Sequence, residues 1–193
     1  MNPQSIFATL AFLFSVAAYV PYTYMVLSGP GKPTLSAWLS WWIMDIAILA
    51  GMVAKGTIAM QMLAYVIGCA FVIAACLFRK ATLGWKKLDS ICVAFVVSAV
   101  VAWVLSGDAN LMIIMSVTAA CVGSIPMMVN VWHDPTREPF LPWVLILFGG
   151  IFGVAAIPEW SVAAALTPYV FLLVQIVFVV LIGRKFSQKT ATI

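Results

Sequence analysis

Seven apolar segments, most of them about 20 residues long, run the length of this chain, and the short loops between them hold nearly all of its charge. That length is what a helix needs to cross roughly 30 Å of hydrocarbon. A barrel would alternate apolar and polar residues at every second position, and these segments do not. They are expected at 6–27, 34–54, 57–78, 88–105, 109–132, 139–157 and 161–182. With 65% hydrophobic and only 8% charged residues, against about 25% charged in soluble domains, the chain is expected to be an all-α integral membrane protein. It would cross the cell membrane seven times. The first segment is read as a retained helix rather than a cleaved signal, because it lacks a basic leader and its apolar run continues past Ser15-Val16-Ala17.

An odd number of crossings puts the two termini on opposite sides. The N-terminal tail and the loops after helices two, four and six hold one basic residue, Lys55; the remaining loops and the C-terminal tail hold the other nine of ten. Basic residues stay in the cytoplasm, so the N-terminus is expected outside and the C-terminus inside. The net charge of +4 is thereby explained by topology, and no nucleic-acid partner is expected. The four cysteines, Cys69, Cys76, Cys92 and Cys121, lie inside apolar segments without companion histidines, so they read as small buried hydrophobes; neither a metal nor a cofactor is expected.

A pattern in the first segment returns 105 positions later. VPYTYMVLSGPGKPTLSAW lies over IPMMVNVWHDPTREPFLPW without a gap, pairing Pro21 with Pro126, Pro30 with Pro135, Lys32 with Arg137 and Trp38 with Trp143. Helices one to three thus correspond to helices five to seven, and helix four has no partner. Three is odd, so the unpaired helix makes the two triplets parallel, a 3+1+3 layout. The parts are a first three-helix repeat at 1–78, a basic loop with linker helix four at 79–105, and a second repeat with a basic tail at 106–193.

This layout, with a proline in the first helix of each triplet, resembles the SWEET sugar transporters and the wider PQ-loop (MtN3-like) superfamily. The chain would be a divergent member: Pro21-Tyr22 and Pro126-Met127 stand where the family has Pro-Gln, the one Pro-Gln is Pro3-Gln4 in the tail, and helices three and seven carry no asparagine. The resemblance implies transport of a sugar or similar solute by alternating access, with Pro21 and Pro126 as hinges that open and close a cytoplasmic gate.

Asp45 is the one acid well inside a segment. A charged aspartate there costs at least about 2.5 kcal/mol, so it must face a polar cavity, find a partner or carry a proton. It is read as a proton-coupling group or as an acceptor for substrate hydroxyls or a cation; a structural acid bonded to a neighbouring helix is the alternative. Trp38, Trp41 and Trp42 share its surface by helical spacing and suit stacking on a sugar, a heteroaromatic ring or a cation, unless they form an interfacial belt. Asn130, Gln61 and Gln175 complete the candidate substrate site. Asp45 aligns with Gly150, so the two halves of that site differ chemically, and the Gly149/Gly153 pair is expected to pack helices.

The leading expectation is a membrane transporter or facilitator of a small polar solute, with proton coupling through Asp45 where transport is coupled. The competing one is a seven-helix receptor or sorting protein without turnover. A homo-oligomer stays open. A retinal protein is refused by the absence of lysine from 161–182, and an enzyme by the absence of paired acid and base groups at membrane depth.

Overall fold

A computed structural model describes residues 2–28, 35–81 and 84–190, apart from the side chains of Pro126, Arg137 and residues 187–190. Among these residues there are seven α-helices and no strand. They are α1 (Pro3–Ser28), α2 (Leu35–Ala54), α3 (Met60–Phe78), α4 (Lys87–Ser106), α5 (Ala109–His133), α6 (Phe140–Ala155) and α7 (Val162–Thr190), with one 3-10 turn, Pro135–Arg137, between α5 and α6. Six are long and apolar enough to cross a membrane; α6, with 16 residues, is the shorter apolar one. At 1.5 Å per residue it reaches about 24 Å.

The expected segments are all present, but their ends differ. Thr57 to Ala59 are not helical, and Ala59 has an extended backbone, so α3 starts at Met60. Helix α7 continues past position 182 to Thr190 and takes Arg184, Lys185 and Lys189 into the helix; lysine and arginine are good helix formers and carry the helix past Gly183, where the apolar run ends. Gly107 ends α4 with a left-handed backbone, φ 70°, a conformation that costs a residue with a Cβ. The Asp108 side chain then caps α5 by accepting from the Asn110 N–H at 2.9 Å. The turn at Lys32 lies outside the described residues.

Packing makes two three-helix units. Helix α3 sits between α1 and α2, and α7 sits between α5 and α6. The units meet through α1 against α6 and α2 against α5. Helix α4 leans on α5 and α2 and buries only Cys92, Val96 and Ala99, one face at helical spacing. Its other side, and much of the outer surface of the bundle, is apolar and exposed, as at Leu105 and Phe71, which suits contact with hydrocarbon rather than water.

Each end of the bundle is tied by contacts between helix ends and loops. At one end Lys55, after α2, pairs with Asp108, before α5, at 3.6 Å. At the other, Lys185 donates to the Glu138 carbonyl at 3.3 Å, and Arg184 donates to the Trp132 carbonyl and lies 4.2 Å from the Trp132 ring. This second end carries Arg79, Lys80, Lys86 and Lys87 as well, and is called the basic end below.

Candidate functional site

The space between the two units holds a cavity of about 110 Å³, bordered by α1, α2, α3, α5, α6 and α7. Asp45 reaches it from the middle of α2, with Trp38 and Trp41 on the same helix, Tyr19 from α1, and Trp143 from α6. Asp45 is 6% exposed. Its carboxylate accepts a long bond, 3.7 Å, from the Cys69 thiol of α3, which also meets the Tyr19 hydroxyl at 3.7 Å. Cys69 is therefore more than the small buried hydrophobe expected from its surroundings in sequence: it is the polar neighbour of the acid. Among the described residues no lysine, arginine or histidine borders the cavity.

The walls are aromatic. Trp38 and Trp41 meet edge to face at 5.4 Å, Tyr22 meets Trp38 at 4.9 Å, and Trp143 stacks on Phe178 at 4.0 Å. Positions 105 apart recur around the lining: Tyr19 with Ser124, Trp38 with Trp143, Trp41 with Ile146, and Cys69 with Val174. In three of these pairs the first member is the more polar or the more aromatic. The two halves thus shape one cavity, and the first half supplies most of its chemistry.

A polar layer closes the cavity on the side away from the basic end. Gln61 donates to the Tyr65 hydroxyl at 2.6 Å, and Gln175 of α7 donates to the same oxygen. The glycines of α6 make this layer fit. A Cβ at Gly150 would collide with Gln175 Oε1, one at Gly153 with Gln61 Oε1, and one at Gly149 with Ser15 Oγ. Gly149 and Gly153 do pack helices, as expected, while Gly150 gives Gln175 its place. Beyond the layer lies a second cavity of about 160 Å³, lined by Gln61, by Gly56 to Met60 and by Ala156 to Pro158 at the far end.

The other candidates fall in different places. Trp42 turns toward α3 and donates its ring N–H to the Val66 carbonyl at 3.0 Å; it is not part of the cavity lining. Asn130 is exposed on α5 and does not border the cavity either. Gln61 joins the dividing layer and lines the second cavity, whereas Gln175 lines the first. Pro21 and Pro126 sit inside α1 and α5, and both helices continue through them.

Glu138 lies in a loop, where nothing in the sequence marks it as a site residue. At the basic end it accepts the Trp143 ring N–H at 3.2 Å, so it fixes a ring of the cavity wall. Burial pushes its carboxyl up to about 7, against the opposing pull of the Trp143 and Tyr22 donors and of Lys185. No three histidine, cysteine, aspartate or glutamate side chains gather to hold a metal among the described residues. No protein-family model, curated protein or solved structure matches the chain.

Proposed function

We propose that this protein carries a small polar solute across the membrane by alternating access, through the cavity at Asp45. The observation that carries the reading is the pair of cavities in line between the two ends of the bundle, parted by the single layer of Gln61, Tyr65 and Gln175. A carrier needs a solute site that opens to one side at a time, and a thin layer of breakable hydrogen bonds is a suitable barrier.

In this reading all seven helices cross, with the N-terminus outside and the basic end in the cytoplasm. The short α6 is accommodated by local thinning of the bilayer. The helix neighbours support two parallel repeats: exchanging α1 with α5, α2 with α6 and α3 with α7 turns the contacts within and between the units into one another. This is the arrangement that the resemblance to SWEET and PQ-loop proteins implies. Pro21 and Pro126, each lacking an N–H for the helix ladder, are the points at which α1 and α5 bend as the units rock.

Asp45 is the coupling group. A buried carboxylate without a cation is costly, so it travels either protonated or paired with its solute. Uptake into proteoliposomes across panels of sugars, amino acids and vitamins tests the proposal. Time-dependent accumulation of one class supports it; tight binding without any uptake would mark the protein as a receptor instead.

A further inference from the structure

The lining of the Asp45 cavity is poorly matched to a polyol and well matched to a positive charge. A sugar brings oxygens that need donors, and part of the donor capacity here is engaged: one N–H of the Gln175 amide goes to the Tyr65 hydroxyl, and the Ser124 hydroxyl goes to the Ala120 carbonyl at 2.8 Å. Unused acceptor capacity is concentrated at Asp45 and Gln175. The Asp45 carboxylate has room for about four hydrogen bonds and receives the long one from Cys69. Gln175 Oε1, buried at the cavity edge, accepts none.

Unused acceptors beside a carboxylate suit an organic cation, which brings positive charge, donates through any N–H or O–H it carries, and has a nitrogen that cannot accept. The aromatic walls point the same way. Indole and phenol faces attract a cation within about 6 Å of the ring centre, and the attraction grows where water is excluded. Among the described residues no lysine or arginine takes that place. The volume, about 110 Å³, is room for several waters or for one compact solute.

We infer that the solute of this cavity is a small organic cation of the ammonium class, with Asp45 as its counter-charge and Trp38 and Trp41 as its aromatic wall. The inference rests on the cavity being the solute site of the proposed carrier. It replaces the sugar expectation with one set by charge.

Choline, its uncharged carbon analogue 3,3-dimethyl-1-butanol, and glucose separate the alternatives when each is titrated into the purified full-length protein by calorimetry. Choline is expected to bind at least about tenfold more tightly than the carbon analogue, a difference of about 1.4 kcal/mol, and glucose more weakly still. Asp45→Asn is expected to erase the preference for charge, and Trp41→Leu to weaken choline while leaving the folded protein monodisperse. Trp41→Phe, which keeps an aromatic face, should retain most of the binding, so a general packing defect is told apart from a lost cation contact. Equal affinity for choline and its carbon analogue, or unchanged choline binding by Asp45→Asn, overturns the inference. If glucose binds and is taken up while choline does neither, the cation falls and the carrier stands. If choline binds with the expected preference but is not taken up into proteoliposomes, the cation stands and the carrier falls.

Discussion

Gly150 lies where the amide oxygen of Gln175 needs space, so that any Cβ at position 150 would strike Gln175 Oε1. Gly150→Ala should therefore push the Gln175 amide off the Tyr65 hydroxyl. The fold can absorb this, because the displaced atom is the far end of a flexible side chain. The barrier between the two cavities is expected to weaken, and a solute that the wild-type protein retains in proteoliposomes should leak faster from the variant. Unchanged leak rates would mean that the layer is packing and not a barrier.

Tyr65→Phe removes the acceptor shared by Gln61 and Gln175. Two buried amides then lack a partner, and an unsatisfied buried group costs about 1–3 kcal/mol, while interhelical hydrogen bonds in membranes average nearer 0.6 kcal/mol. The expected loss is about 1–3 kcal/mol in all, read as a lower midpoint of thermal unfolding in detergent. Gln61→Leu alone should cost less, since Gln175 keeps its bond.

Much of the fold is legible in the chain because each apolar run is uninterrupted and each loop carries turn residues or charge. The ends are less so: Lys185 and Lys189 look like tail residues by charge, yet α7 runs on through Gly183 to include them, since no proline follows and the basic residues are good helix formers. The site divides in the same way. Asp45, Trp38 and Trp41 fall on one face by helical spacing, and all three border the cavity. Trp42 sits about 60° from Asp45 around the helix at 100° per residue, close enough for either outcome, and the rotation of α2 against α3 decides it. The Cys69 bond to Asp45 and the fit of Gln175 over Gly150 depend on how separate helices meet, which no local pattern encodes.

Glu138 gives the protein a pH dependence outside the membrane-spanning segments. Its carboxyl is raised from 4.5 to about 7, so between those values the folded protein holds the proton more tightly than the unfolded chain does. Unfolding then releases a proton, and stability falls as pH rises from about 4.5 through about 7, with no further loss from this group above that. Thermal midpoints of the wild-type protein should decline over this window. Glu138→Gln, which keeps an acceptor for the Trp143 N–H, should show a flatter profile.

The ion pair of Lys55 and Asp108 is partly exposed on both sides, 36% and 47%, and exposed pairs contribute about 0–1 kcal/mol. Lys55→Ala should leave the thermal midpoint almost unchanged. The same lysine tests the orientation: a membrane-impermeant amine reagent applied to intact cells should label Lys55, while Lys86 and Lys87 should react once the membrane is opened. Labelling in the reverse order would invert the topology.

The carrier reading depends above all on Asp45, and the most direct measurement is solute uptake into proteoliposomes by wild-type and Asp45→Asn protein, with and without an imposed pH gradient. Wild-type protein should accumulate solute, and the variant should lose at least about tenfold of the initial rate, equivalent to about 1.4 kcal/mol, together with any response to the gradient. Equal rates and equal gradient responses in the two proteins would contradict the account.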